Sequence, residues 1–343
     1  LGAYQTALGI EPENVQIMHA RARFYIDQGE LDDAEKMIAK ILEKRPNYFP
    51  ARMLQGELLA KKRDFRAAIQ IFDQLIEEEP GSARAYYFRG LARYRLGDFE
   101  LAKSSTAKAV ELAPGSIRAR LLLAEIYQRQ RDFNLAEKEA NAILKYQPGN
   151  LKARLALGNA YMYQKKTDEA RQTFESIIDM APDNPVGYFR LGLLQRALKQ
   201  YDAAMGSFEK ALSINPNLLD VFTNIILVHA AKKEYDQALK RCDLQLKQVA
   251  TSPAASAIVY NLKGRLYLAQ GNKAAAIESF QTAIKENPNL LQPYYALAKI
   301  YLTDKQEKKA IAQYEAVLEV NPNQAQPHML LGVIYDTLNQ YDM

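Results

Sequence analysis

The side chains best suited to catalysis are few in this chain of 343 residues, and they stand far apart in the sequence. The three histidines are His19, His229 and His328, and the single cysteine is Cys242. Acid–base catalysis and zinc binding both need such groups within hydrogen-bond or ligand distance of one another. No HExxH, CxxC or phosphate-loop pattern is present. The sequence therefore predicts no enzyme activity, no cofactor and no metal site, and Cys242 is expected to be a buried core thiol.

The charge balance restricts the class of partner. Lysine and arginine total 45 residues and aspartate and glutamate 40, which gives a net charge of +5. Proteins devoted to nucleic-acid binding usually carry a larger and more clustered positive surplus, so we expect no nucleic-acid partner. No apolar run approaches the length of about 18 residues that a membrane helix needs, so no membrane insertion is expected. One cysteine excludes an intrachain disulfide and leaves both a cytoplasmic and a periplasmic location open.

Prolines at a fixed interval show how the chain is organised. Successive prolines are 34 residues apart over most of its length. They are Pro12, Pro46, Pro80, Pro114, Pro148, Pro182 and Pro216, followed by Pro288 and Pro322. The gap of 72 residues after Pro216 is two periods and four more residues, and the extra four fall in the stretch 249–256. That stretch is rich in small residues and predicts a longer loop.

Each period carries two amphipathic helical patterns separated by a short turn, and no pattern predicts a strand. A small residue stands ten residues after each proline, as at Gly158 and Gly192, and only Ile226 breaks this rule. An alanine follows twelve residues later, as at Ala170 and Ala204. A small residue at a helix crossing lets the two backbones approach closely. The proline ends the second helix because it lacks an N–H and collides with the preceding turn.

The repeat that begins at residue 151 shows the full pattern. Positions 7, 8, 11, 20, 24 and 32 are Leu157, Gly158, Tyr161, Ala170, Phe174 and Pro182. With its 34-residue length this pattern resembles the tetratricopeptide repeat (TPR). The resemblance implies an all-α fold, an α-solenoid in the form of a right-handed TPR superhelix with about nine helix–turn–helix repeats and a half-repeat at each end. The predicted boundaries are 1–14 (second helix of a truncated repeat), 15–48, 49–82, 83–116, 117–150, 151–184, 185–218, 219–256 with the four-residue insertion, 257–290, 291–324 and 325–343 (first helix of a truncated repeat).

A few positions depart from the family pattern. Arginine replaces the large packing residue of position 4 at Arg52, Arg120 and Arg154. The seventh repeat has Ile226 and His229 where the family has a small residue and a tyrosine. The departures are local, so the predicted fold does not depend on them.

The resemblance also implies a binding surface. In the family, first helices line a concave groove, which positions 2, 5, 9 and 12 of each first helix face. Here these positions carry mostly apolar and aromatic side chains, and basic residues recur at positions 2 and 13. The candidate partner-binding residues are Arg84, Tyr87, Leu91, Tyr94, Arg118, Leu121, Arg129, Lys152, Leu155, Asn159, Met162 and Phe189. Such a groove fits an extended or helical peptide with apolar anchors and acidic flanks. In a second interpretation the arginines only keep exposed helix faces soluble.

The main prediction is a non-catalytic scaffold that binds peptide segments of partner proteins. Two alternatives are the TPR arm of a larger enzyme, such as a glycosyltransferase, and a part of a bacterial exopolysaccharide or secretion assembly of the PEP-CTERM type. The two-carboxylate clamp of chaperone-binding TPR proteins is not assembled, since Asn159 at position 9 follows Leu155 where the clamp needs lysine. The chain begins and ends within a repeat, so self-association through uncapped ends is expected. The apolar face expected to be exposed on the last helix consists of Met329, Leu330, Val333, Ile334 and Leu338.

Overall fold

A computed structural model describes residues 2–338, which form twenty α-helices and no β-strand. The chain divides into two compact units, Leu1–Ala181 and Pro182–Met343. Unit 1 contains α1 (Gly2–Ile10), α2 (Val15–Gln28), α3 (Leu31–Lys44), α4 (Phe49–Lys61), α5 (Phe65–Glu78), α6 (Ala83–Leu96), α7 (Phe99–Leu112), α8 (Ile117–Gln130), α9 (Phe133–Leu144), α10 (Leu151–Tyr163) and α11 (Thr167–Met180). Unit 2 contains α12 (Pro185–Ala197), α13 (Tyr201–Ile214), α14 (Leu219–Ala231), α15 (Tyr235–Gln248), α16 (Pro253–Ala269), α17 (Lys273–Glu286), α18 (Gln292–Thr303), α19 (Glu307–Val320) and α20 (Ala325–Thr337). The prediction of an all-α fold built from helix pairs is confirmed.

A tight turn with a left-handed residue joins the two helices of most pairs. After α12, Lys199 has a φ of 59°, and the N–H groups of Lys199 and Gln200 donate to the carbonyls of Arg196 and Gln195 at 3.0 and 2.9 Å. This pair of bonds satisfies carbonyls that would otherwise be unpaired at the end of the helix. The same left-handed conformation occurs at Gly29, Arg63, Gly97, Arg131, Lys165, Lys233, Gly271 and Lys305. Most of these residues are not glycine, so helix packing imposes a conformation that their side chains disfavour.

The two helices of a pair meet most closely where the first helix carries its small residue. A Cβ atom added to Gly192 of α12 would lie 2.6 Å from the Phe208 ring of α13, and one added to Gly264 of α16 would lie 2.6 Å from the Phe280 ring of α17. Both rings are completely buried. The same contact occurs in unit 1 between Gly56 and Phe72 and between Gly158 and Phe174. Glycine is therefore required at these positions because the ring fills the space that a side chain would need.

One pair of helices fills the space at this crossing with different residues. In α14 and α15 the glycine is replaced by Ile226 and the phenylalanine by Cys242, and both side chains are buried. They belong to one apolar cluster with Phe222 and Val259. A larger side chain on the first helix is matched by a smaller one on the second, so the space between them stays filled. The departure at Ile226 therefore has its counterpart at Cys242.

The four-residue insertion lengthens a helix rather than a loop. The predicted loop over 249–256 is wrong in its second half, because α16 begins at Pro253 and has 17 residues against 14 in α15 and in α17. Proline is favoured at the first position of a helix, where its missing N–H would be unpaired anyway. Ala254 and Ala255 follow it, and alanine has the highest helix propensity. The extra residues therefore add about one turn.

The last described helix of unit 2 has one buried face and one exposed face. Leu331 and Ile334 of α20 are buried in a core cluster, whereas Met329 and Val333 are 63% and 58% exposed. The expected exposure of Met329 and Val333 is confirmed, whereas the expected exposure of Ile334 is wrong, because that side chain packs into the core cluster. Self-association through that face stays a prediction.

Gly192→Ala is expected to lower the free energy of unfolding by about 1–3 kcal/mol, because the added methyl group collides with the buried Phe208 ring. Gly206→Ala in α13 is the matched control, since no atom lies within 4 Å of a Cβ built there. That substitution should raise the free energy of unfolding by about 0.5–1 kcal/mol, because alanine favours a helix over glycine. Chemical denaturation followed by circular dichroism measures both effects, and changes of the same sign would contradict the packing argument.

Candidate functional site

The first helices of unit 1 form one continuous face. α4, α6, α8 and α10 contact one another in sequence order, while α5, α7 and α9 pack against the first helices on either side. Side chains at the same position of successive first helices therefore become neighbours, although they are 34 residues apart in the sequence, as Arg23 and Glu57 show. This face carries all the candidate partner-binding residues except Phe189, which lies on α12 of unit 2.

A buried carboxylate organises the charges at one end of this face. Glu57 of α4 is only 4% exposed. Arg23 of α2 contacts both of its carboxylate oxygens, and Arg84 of α6 donates to Oε1 at 2.5 Å. Burial raises the pKa of Glu57, and the charge of Arg23 acts in the opposite direction. Arg84, which the sequence placed among the partner-binding residues, is thus already ion-paired within the fold.

Arg23 and Glu57 were not among the candidate partner-binding residues, although they occupy a predicted groove position. Both stand at position 9 of consecutive repeats, and they carry opposite charges. Opposite charges separated by one repeat length are a signal that was available in the sequence. Its meaning depends on knowing that first helices lie side by side.

A second group of polar side chains lies further along the same face. Tyr94 is 8% exposed, and its hydroxyl donates to Oε1 of Glu125 at 2.7 Å. A hydrogen bond with Tyr94 raises the pKa of Arg129, while burial raises the pKa of Tyr94. The side-chain amide of Gln128 donates to a backbone carbonyl of α10 at 2.8 Å. Arg129 therefore has partners within the fold, like Arg84.

Arg118 and Lys152 differ from those two arginines. Both are exposed, and no carboxylate in residues 2–338 lies within 4 Å of either. They stand beside an apolar floor of half-buried side chains, which are Tyr87, Leu91, Leu121, Leu155 and Met162. Burial raises the pKa of Tyr87, and the nearby Arg118 acts in the opposite direction. The carboxamide oxygen of Asn159 is buried and accepts no hydrogen bond from the described residues.

Unit 2 has a pocket that the sequence did not predict. Residues of α16 and α18 line an open pocket of about 490 Å³, among them Asn261, Arg265, Tyr295 and Lys299. These four residues stand at positions 5 and 9 of consecutive repeats, which are groove positions of the pattern. The one candidate residue in unit 2, Phe189, packs its ring 6.1 Å from that of Phe208. The candidate residues come from repeats three to six, so a pocket of the eighth and ninth repeats lies outside them.

Two family models described as tetratricopeptide repeat match this chain, one at residues 53–117, 121–185, 155–218 and 227–290 and the other at 1–58 and 267–334. The chain belongs to the tetratricopeptide repeat family. A comparison with curated protein sequences finds no match.

Solved structures share the TPR fold of this chain at low identity. Yeast Tom70 has a TM-score of 0.65 and 17% identity, over 98% of this chain and 85% of the Tom70 chain. A human IFIT1 dimer with m7Gppp-AAAA has a TM-score of 0.56 and 18% identity, over 100% and 83% of the two chains. A TPR protein from Parabacteroides merdae has a TM-score of 0.56 and 16% identity, over 87% and 98%. At such identities the likeness shows the fold alone, and the TPR fold generally serves as a non-catalytic scaffold.

The arginines at position 4 of the TPR repeats serve the fold. Arg120 donates to the carbonyl of Pro114 at 2.7 Å and forms an ion pair with Glu139. Arg154 donates to the carbonyl of Pro148 at 2.5 Å. Each guanidinium thus satisfies a carbonyl just beyond the end of the preceding helix. At these positions the arginine makes polar contacts where the family pattern has a large residue that packs.

Two of the three histidines are engaged in local contacts, and the cysteine is buried. Nδ1 of His229 lies 2.8 Å from the Glu234 carboxylate, and Nε2 of His328 lies 3.0 Å from a backbone carbonyl. Cys242 is fully buried, and burial raises the pKa of its thiol to about 12. Within residues 2–338, no group of three His, Cys, Asp or Glu side chains is arranged to hold a metal ion. A search of the same residues finds no helix with the length and apolarity needed to span a membrane.

Cys242 is expected to be unreactive in the folded protein, because the thiolate is the reactive form and burial suppresses it. Ellman's reagent should release no thionitrobenzoate from the native chain at neutral pH, and one equivalent after denaturation in guanidinium chloride. Reaction of the native chain at the rate of a free thiol would show that the helix pair opens readily.

Arg84→Met should lower the free energy of unfolding by about 1 kcal/mol, because the buried Glu57 carboxylate loses one of its ion-pair partners. The effect is modest because the Arg84 guanidinium is half-exposed. Arg118→Met is the matched control, with the same substitution at the same position of the next repeat. It should change the free energy of unfolding by less than about 0.5 kcal/mol, because no ion pair is lost. Urea denaturation measures both, and equal effects would contradict the assignment of Arg84 to the fold.

Proposed function

We propose that this TPR chain is a scaffold that binds a peptide segment of a partner protein across the first helices of unit 1. The TPR fold supports an interaction scaffold in general. The observation that supports this particular surface is the half-buried apolar floor around Leu121 and Leu155, next to the uncompensated charges of Arg118 and Lys152.

The chemistry of the floor defines the peptide. Apolar side chains of a peptide that cover Leu121 and Leu155 remove apolar surface from water, at about 25 cal/mol for each Å². A few such anchors carry most of the affinity of an interface. The unpaired carboxamide oxygen of Asn159 is an acceptor for a backbone N–H of an extended segment. Arg118 and Lys152 attract acidic residues that flank the anchor, which sets the orientation of the peptide more than its affinity.

The charge pattern of this face supports a peptide rather than a nucleic acid. Arg23 and Arg84 are both held by the Glu57 carboxylate. Nucleic-acid binding depends on many free cations that neutralise successive phosphates. The m7Gppp-AAAA in the human IFIT1 structure is a ligand of that protein. The cations left free on this face suit a short acidic flank.

Reversing the charges of Arg118 and Lys152 should weaken peptide binding. Peptides selected from a displayed library of short random sequences should combine apolar and acidic residues. Their affinity should fall about tenfold in Arg118→Glu/Lys152→Glu, because attraction becomes repulsion. The control is Lys40→Glu/Lys138→Glu, with the same charge change on the exposed second helices α3 and α9.

Fluorescence anisotropy with the selected peptides measures the affinity, and circular dichroism checks that each variant is folded. Equal losses in the two variants, or selected peptides without acidic residues, would overturn the proposal. Tighter binding of an oligoribonucleotide than of the peptides at physiological salt would also overturn it.

A further inference from the structure

The pocket between α16 and α18 of unit 2 combines an apolar wall with several polar side chains. Leu268, Phe280, Ala296 and Ile300 supply the wall, and the polar groups that matter are Asn261, Arg265 and Lys299. The pocket lies entirely within unit 2 and shares no residue with the surface proposed above. Its lining contains no carboxylate.

Asn261 is unusual for a buried position of a first helix. It is only 9% exposed, and its carboxamide oxygen accepts no hydrogen bond from the described residues. At the same position of the repeats in unit 1 stand Tyr87, Leu121 and Leu155. A buried amide without a partner costs stability that an apolar side chain would not. Rotation about its last side-chain torsion, which is broad, turns either end of the carboxamide towards the pocket.

The two cations of the pocket have no carboxylate partner. Arg265 and Lys299 are exposed, and no carboxylate in residues 2–338 lies within 4 Å of either. Lys273, also in the lining, is ion-paired with Asp304. Arg265 and Lys299 occupy position 9 of consecutive repeats.

Position 9 of consecutive repeats in unit 1 shows how such charges can be neutralised within the fold. There Arg23 and Glu57 occupy position 9 of consecutive repeats and neutralise each other. In unit 2 both positions carry positive charge, and no carboxylate of the described residues lies within 4 Å of either to compensate it. The two cations without a carboxylate and the Asn261 amide without a hydrogen-bond partner therefore lie in one pocket, next to an apolar wall.

We infer that this pocket binds an acidic residue of a peptide together with the apolar residue beside it. The carboxylate lies between Arg265 and Lys299, the apolar side chain covers Leu268 and Ile300, and the peptide backbone bonds to Asn261. One carboxylate and one apolar side chain match two cations beside a mostly apolar wall. The inference shares with the proposed function only the assumption that the ligand is a peptide.

The test uses the whole chain and two short peptides with blocked ends, one with a central Leu-Glu and the other with a central Leu-Gln. Nuclear magnetic resonance of isoleucine methyl groups reports binding at Ile300. The Leu-Glu peptide should shift the Ile300 signal and bind about tenfold more tightly than the Leu-Gln peptide, because a charged acceptor strengthens the bonds from Arg265 and Lys299. Equal binding of the two peptides, or no shift at Ile300, would overturn the inference.

Variants assign the interaction to residues. Arg265→Gln/Lys299→Gln should abolish the preference for Leu-Glu, whereas Lys210→Gln/Lys285→Gln, on the exposed second helices α13 and α17, should keep it. Asn261→Leu should weaken binding of both peptides and raise the melting temperature, because it removes a buried amide without a partner. A variant Asn261→Leu that binds both peptides like the parent chain would overturn the role of Asn261.

Two further measurements distinguish this pocket from the surface of unit 1 and from a phosphate-binding site. Arg118→Glu/Lys152→Glu, with its changes in unit 1, should leave the Ile300 shift unchanged, so failure of one proposal is distinguishable from failure of the other. Loss of the shift in that variant would overturn the inference. Displacement of the Leu-Glu peptide by an oligoribonucleotide or a phosphoserine peptide at lower concentration would overturn the carboxylate assignment.

Discussion

The distance between the two helices of a pair is set by a small residue pressed against a buried side chain, and the surfaces on the first helices depend on it. Gly192 against Phe208 is one example of this contact. Ile226 against Cys242 shows that the pair keeps its combined volume rather than its residue types. Since this contact recurs from pair to pair, a period of 34 residues in the sequence becomes a regular spacing in space within each unit.

That regular spacing turns single residues into neighbours across repeats. Arg23 and Glu57 meet because each stands at the same position of its first helix. Arg265 and Lys299 have the same relation, but their charges are alike. The first pair is an ion pair within the fold, and the second has no carboxylate within 4 Å among the described residues. One geometric rule therefore produces a structural ion pair in unit 1 and a candidate binding pocket in unit 2.

The TPR fold leaves the choice of partner to the exposed and half-buried positions of the first helices. The solved structures similar to this chain share its fold at 16–18% identity. Fold and function are separable, so recognition has to be argued from side chains such as Arg118, Lys152 and Asn159. Arg118 and Lys152 have no carboxylate within 4 Å among the described residues, and the carboxamide oxygen of Asn159 accepts no hydrogen bond from them, whereas Arg84 is ion-paired with Glu57. A ligand is therefore more readily bound near Arg118, Lys152 and Asn159 than near residues that are already paired within the fold.

The sequence by itself determined the helical fold, the position of the turns and the small residues at the helix crossings, because these follow from local propensity and a repeated period. Only the tertiary structure decided which charges are free. Position 2 is basic at both Arg84 and Arg118, yet Arg84 meets a buried Glu57 and Arg118 does not. The four extra residues before Ala257 also became a helical turn rather than a loop. Whether a charge is compensated depends on neighbours a whole repeat away, and these contacts exist only once the helices have packed.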